Sequence, residues 1–126
     1  MKRYNFFMLI LLVGMIIFGR VATQPSYKQI TQEEAKSRMD TSEVIVLDVR
    51  ERSEYDSGHI PGAVLLPADS ISEDTAAAVI PDKDTEVLVY CRTGNRSKTA
   101  SEALAKLGYT NVFEFGGITT WPYEVE

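Results

Sequence analysis

Apolar positions along the chain fall into two regimes. Near the amino terminus, Phe6 to Phe18 is apolar on every side and follows Lys2 and Arg3, a basic region ahead of an apolar run of signal-peptide length. The run is shorter than the ~20 residues that cross a bilayer as a helix, and its uniform character argues against an amphipathic helix of a folded domain. Beyond it, short apolar runs alternate with stretches of helical spacing. Val44–Leu47, Ala63–Leu66, Val87–Tyr90 and Val112–Phe115 predict strands, and the continuous β-branched and apolar run Val44–Leu47 suits a strand covered on both faces in a parallel sheet. Tyr27–Ile30 predicts a short edge strand, either antiparallel or marginal.

Between these runs the punctuation predicts helices. Thr31 and Glu34 have capping-box spacing ahead of a helix ending near Met39. Glu51–Ser57 predicts a short helix stopped by Gly58, and Ser72 caps another that Pro81 and Asp82 end. Ala100, Ala103, Leu104 and Leu107 lie at i, i+3, i+4 and i+7, one apolar helix face, with Gly108 just past its end. Strands alternating with helices give an α/β fold, an open and mostly parallel sheet of about five strands with helices on both faces. The 126 residues suffice for one such domain.

Charge and cysteine content narrow the chemistry. Without Lys2, Arg3 and Arg20 the chain has 10 basic against 18 acidic residues, a net of −8. Such a domain is not expected to bind nucleic acid. One cysteine and one histidine make no metal-ligand set, and no cofactor is expected. Cleavage points after Gly19, Ala22 or Thr23 lack the paired small residues of a signal-peptidase site, so residues 1–23 are expected to be a signal peptide or an amino-terminal membrane anchor, attached through residues 4–19. Residues 24–126 are then one extracytoplasmic domain: periplasmic, secreted or held at the outer face of a membrane. An unpaired thiol in an oxidising compartment is exposed to damage, so its presence there suggests use.

That thiol, Cys91, sits where the strand Val87–Tyr90 turns into a helix, in the run Cys91-Arg92-Thr93-Gly94-Asn95-Arg96-Ser97. Unpaired N–H groups and the dipole at a helix start favour a thiolate and an oxyanion beside it, and Arg92 and Arg96 add positive charge. A thiol there is expected to have a lowered pKa and to act as a nucleophile.

This run resembles the active-site loop of the rhodanese family of sulfurtransferases, in particular single-domain, secreted or periplasmic members of the phage-shock type. Asp48-Val49-Arg50-Glu51, Glu54-Tyr55 and Gly58-His59-Ile60-Pro61-Gly62-Ala63 resemble the family's first signature. Gly116-Gly117-Ile118 with Trp121 resembles its closing segment. The likeness spans about residues 27 to 123. It implies a rhodanese-like domain over residues 24–126 and a two-step reaction: Cys91 takes a sulfane sulfur from thiosulfate or another small anionic donor, then gives it to cyanide or a thiol. Backbone N–H groups of Arg92, Thr93, Gly94, Asn95, Arg96 and Ser97 would hold the terminal sulfur. Arg92 is expected to meet the donor's anionic end. Arg96 either does the same or pairs with Asp48 or Glu51, and Ser97 is read as a helix cap that can also reach the sulfur.

Asp48, Arg50 and Glu51 are expected to support the site, Trp121 to anchor the core, and His59 to be structural. A monomer is expected. Related phosphatases place the arginine one residue later, where Ser97 stands, so phosphatase or arsenate reductase activity is the lesser enzymatic alternative. A carrier that holds a persulfide for a partner protein without turnover requires the same loop and stays open.

Overall fold

The computed structural model describes residues 26–126; the leader expected at residues 1–23 lies outside them. In chain order the elements are β1 (Lys28–Gln29), α1 (Gln32–Thr41), β2 (Ile45–Asp48), α2 (Arg52–Ser57), β3 (Val64–Leu65), α3 (Glu73–Val79), β4 (Val87–Cys91), α4 (Asn95–Lys106) and β5 (Val112–Gly117). Single 3₁₀ turns at Ala68–Ser70 and Ile118–Thr120 complete the set. The strands form one sheet in the order β1-β5-β4-β2-β3, and every pairing is parallel. The edge strand β1 is therefore parallel to β5, pairing Lys28 with Phe113, and not antiparallel. Among the described residues no helix is long and apolar enough to cross a membrane.

The central strand β4 is buried along its whole length because it contacts a layer on each face. Val87, Val89 and Cys91 point to one side, with Ala76 and Ile80 around α3 and Ala100 and Leu104 of α4. Leu88 and Tyr90 point to the other, with Ala35 of α1, Phe115 and Trp121. The period of two along β4 thus divides the core into two clusters and aims Cys91 at α4. Trp121 packs against Phe115, with ring centroids 5.5 Å apart and the planes tilted by 53°, and anchors the carboxyl-terminal segment, as its position suggested.

Local chemistry sets the helix ends. Thr31 accepts from the Glu34 N–H at 3.0 Å, but the Glu34 carboxylate turns away to Arg38, so the expected reciprocal bond is absent and the helix runs on to Thr41. At α3 the box does close: Ser72 and Thr75 each cap the other's N–H. The buried face of α4 is rotated from the expected one. Ser97, Ala100, Ser101, Leu104 and Ala105 face the sheet, while Ala103 and Leu107 are half-buried at the flank. Small side chains lie where the helix approaches the strands most closely.

At the carboxyl ends of the strands, polar side chains join the layers. The Asp48 carboxylate, fully buried, accepts from Arg50 Nη2 at 2.7 Å, from the Arg50 N–H at 2.9 Å and from the Tyr90 hydroxyl at 2.6 Å. The same Arg50 Nη2 donates to the Gly58 carbonyl, and the Tyr90 oxygen accepts from the Ile60 N–H. One carboxylate thereby fixes the segment from Gly58 to Ile60 against β2 and β4. Burial and this carboxylate together push the Tyr90 phenol well above its usual range. Burial opposes the Arg50 charge, but the bonds to Asp48 outweigh it and hold its pKa up. His59 stacks on Tyr55 with ring centroids 3.9 Å apart and lies 3.4 Å from the Glu126 carboxylate. Between α2 and α4, Glu54 and Arg96 form a two-pronged ion pair at 2.7 and 2.9 Å.

Asp48→Ala leaves the buried Arg50 guanidinium without its carboxylate and is expected to lower unfolding free energy by roughly 3–5 kcal/mol, measured by urea titration. The Glu54 pair makes a pH prediction. Bonded by Arg96, the Glu54 carboxyl is depressed from 4.5 to about 2 in the folded protein. The unfolded chain therefore binds this proton first, and the pair's contribution is complete above pH ~4.5 and lost between there and pH ~2. Thermal melts across that window should separate wild type from Glu54→Gln at the upper end and converge at the lower; a constant separation would count against the pairing.

Candidate active site

The loop after β4 wraps around its own cysteine. Cys91 closes the strand with 1% of its surface exposed, and its Sγ accepts the Gly94 N–H at 3.0 Å. Gly94 has φ of +110°, the left-handed region that favours glycine, and stands at the N-cap of α4. That turn brings the chain back over the sulfur and starts the helix, so the free N–H groups of its first turn lie beside Cys91. Burial raises the thiol pKa, but the Ser97 hydroxyl and the backbone N–H groups of Ser97, Gly94 and Thr93 outweigh it and hold the value below the ordinary one.

Beneath the loop runs the end of β5. Val89 pairs with Glu114 but Cys91 pairs with Gly117, so two steps on β4 match three on β5 and the extra residue forms a bulge. The bulge carries Gly117 directly under the loop, where an added Cβ would overlap the Arg92 carbonyl group and the Thr93 nitrogen. Thr119 then holds the Arg92 carbonyl oxygen through its N–H at 3.2 Å and its hydroxyl at 3.0 Å. The double glycine fits this segment because two backbones here approach closer than any side chain permits.

The residues expected at the site occupy three settings. Arg92, Thr93 and Asn95 are exposed on the loop, and among the described residues Arg92 forms no ion pair. Arg96 is bound to Glu54 and to neither Asp48 nor Glu51. Asp48 is already occupied by Arg50 and Tyr90. Glu51 is the N-cap of α2, its N–H received by Glu54 at 3.1 Å. Ser97 is not the helix cap; that place belongs to Gly94. It lies in the first turn, fully buried, with Oγ 3.4 Å from Cys91 Sγ. Asp48 and Arg50 pair with each other behind the loop. Among the described residues, no cluster of three or more His, Cys, Asp or Glu side chains could hold a metal ion.

Three polar residues at this end of the sheet were given no role in the site from sequence. Glu54 binds Arg96, Tyr90 joins Asp48 to the loop of Ile60, and Glu114 lies 2.6 Å from the Ser97 hydroxyl. The available signal was an acid inside an apolar strand: Glu114 interrupts Val112–Phe115 at a position whose alternation faces the same side as Cys91. Glu54 gave a weaker one, as an acid one turn into a helix that begins beside the site.

Comparison with known proteins agrees with this geometry. A model of the rhodanese-like domain matches residues 31–123. The thiosulfate sulfurtransferase PspE of Escherichia coli is 42% identical over 72 residues, covering 57% of this chain and 68% of that one. The thiosulfate sulfurtransferase GlpE of Coxiella burnetii is 33% identical over 96 residues, covering 75% and 87%. Among solved structures, a rhodanese with anions from E. coli superimposes with a TM-score of 0.62 at 32% identity, over 67% of this chain and 98% of the other. With the family's model matched from α1 to the carboxyl-terminal segment, and with the parallel sheet and cysteine loop in place, this chain belongs to the rhodanese-like domain family.

Proposed function

We propose that this protein is a sulfurtransferase that moves a sulfane sulfur from thiosulfate, or another persulfide-type donor, through a persulfide on Cys91 to cyanide or a thiol. The observation that carries this reading is the setting of one sulfur atom: buried, bonded by the Gly94 N–H and beside the Ser97 hydroxyl, with its pKa held down, next to an arginine that forms no ion pair among the described residues. The names of its relatives PspE and GlpE, both thiosulfate sulfurtransferases, support the same reaction.

In the first step the Cys91 thiolate attacks the outer sulfur of thiosulfate. The new S–S bond forms as the donor's S–S bond breaks, and sulfite leaves with that electron pair. Arg92 binds the anionic end of the donor, since Arg96 is committed to Glu54 and shapes the loop from behind. The terminal sulfur then rests among N–H groups from Arg92 to Ser97, which act on sulfur as an oxyanion hole acts on oxygen. In the second step an acceptor nucleophile attacks that sulfur and Cys91 leaves as a thiolate. The apolar run at Phe6–Phe18 would deliver this domain outside the cytoplasm, and the mass of the purified protein would reveal whether the leader is removed.

Steady-state thiocyanate formation tests the reading. Wild type is expected to give the parallel double-reciprocal lines of ping-pong kinetics with thiosulfate and cyanide, and Cys91→Ser to give none of the activity while melting as wild type does. Activity retained in that variant would remove Cys91 from the mechanism. A wild type that forms the persulfide yet releases almost no thiocyanate would instead be a carrier. Arg92→Ala is expected to lower kcat/KM for thiosulfate roughly 10- to 100-fold through loss of a charged contact, with little change in melting temperature. A large stability loss at unchanged kinetics would make Arg92 structural.

A further inference from the structure

Strand β5 carries an acid whose partners are all hydrogen-bond donors. Glu114 is 2% exposed, and among the described residues no lysine, arginine or histidine is within ion-pair distance of it. Its Oε2 accepts the Gly116 N–H at 2.7 Å and lies 2.6 Å from Ser97 Oγ; its Oε1 accepts from Gln29 Nε2 at 3.2 Å. A buried carboxylate without a counter-ion is costly to keep, and the Gly116 bond alone would not require a charge.

The Ser97 hydroxyl has one hydrogen and several acceptors within reach. Glu114 is the nearest, at 2.6 Å; the Gly94 carbonyl is at 3.0 Å, and Cys91 Sγ and the Gly116 carbonyl are each at 3.4 Å. Given to Glu114, the hydrogen leaves an oxygen lone pair toward the sulfur. That arrangement suits an S–H donor and opposes a thiolate. Turned toward the sulfur, the same hydrogen stabilises a thiolate and gives up the carboxylate. We propose that Glu114 is a positioning residue that tunes Cys91 through the Ser97 hydroxyl, holding its hydrogen in the resting thiol and releasing it to the sulfur when charge develops there. The inference rests on Cys91 being the sulfur carrier.

During sulfur release the bond between Cys91 Sγ and the terminal sulfur breaks and its electron pair stays on Sγ. The Ser97 hydroxyl then rotates from Glu114 Oε2 to the new thiolate, its hydrogen staying on the Ser97 oxygen throughout. By competing for that hydrogen, Glu114 keeps the thiolate more basic, and so a stronger nucleophile toward the donor, than the loop N–H groups and an uncontested Ser97 hydroxyl would leave it. The other charges facing this pair are few. Arg96 on α4 lies near the sulfur but is bound to Glu54 of α2. Lys98 on α4 lines the same groove as Glu114, and on β2 Asp48 and Arg50 neutralise each other.

The test is a pH titration of thiolate ultraviolet absorbance in the reduced full-length chain, with Cys91→Ser as the blank; the chain has one cysteine, so the signal is unambiguous. Glu114→Gln keeps the shape and can still accept from Gly116 and Ser97. It is expected to move the thiol midpoint down by about one to two pH units. In a Ser97→Ala background the same substitution should move it by less than half as much. Glu114→Asp, which keeps the carboxyl group but withdraws it from Ser97, covers the case in which the glutamine variant does not fold, and should also lower the midpoint. An unchanged or raised midpoint would overturn the proposal, and so would a shift that persists undiminished without the Ser97 hydroxyl. The titration needs no sulfur donor. A wild type inert toward thiosulfate that still showed the shift would therefore fault the proposed reaction and spare the Glu114–Ser97–Cys91 linkage.

Discussion

A sulfur atom that is almost wholly buried, and that the proposed reaction requires to carry negative charge, is the constraint on which the carboxyl-terminal end of this sheet depends. Burial alone would keep Cys91 protonated. The chain answers with hydrogen-bond donors: a left-handed turn at Gly94, the first turn of α4 behind it, and the Ser97 hydroxyl beside the sulfur. Those donors are usable only if the loop backbone closes tightly on the sheet. The bulge in β5 and the bare backbone of Gly117 make that closure possible.

Charge around the site is arranged by pairing. Asp48 takes Arg50, and Glu54 takes Arg96, so two of the three arginines near the loop serve its architecture and Arg92 is left for solvent and ligand. The two ion pairs belong to different circumstances. The first is sealed and part of a network reaching Tyr90 and Ile60, where removal of one partner strands a buried charge. The second is half-exposed, joins α2 to α4 across the end of the sheet, and stiffens the loop from outside. A net-acidic domain thereby has a local positive site, the setting that the proposed anionic donor requires.

Much of this could be read along the chain. Short apolar runs gave the strands β2 to β5 and their parallel arrangement, because a strand covered on both faces needs no polar alternation. Cys91 stood out because a thiol, two arginines and a glycine converge where a strand becomes a helix. What escaped was set by distance across the fold. The choice of Glu54 for Arg96 depends on Asp48 being already occupied, which is a fact of packing. Ser97 reads as a cap until the Gly94 turn is built, and Glu114 becomes part of the site only once the bulge swings Gly116 and Gly117 under the loop. The rotated face of α4 has a similar origin: small polar residues, Ser97 and Ser101, face the sheet where apolar spacing favoured Ala103 and Leu107.

Covalent storage of sulfur on Cys91 is the claim from which the rest of the account follows. Intact-mass spectrometry of the reduced protein, taken before thiosulfate, after it, and again after cyanide, tests this most directly. The account predicts a gain of one sulfur, ~32 Da, that cyanide removes and that Cys91→Ser never acquires. A folded, reduced wild type that gains no sulfur, or a Cys91→Ser variant that gains it equally, would contradict it.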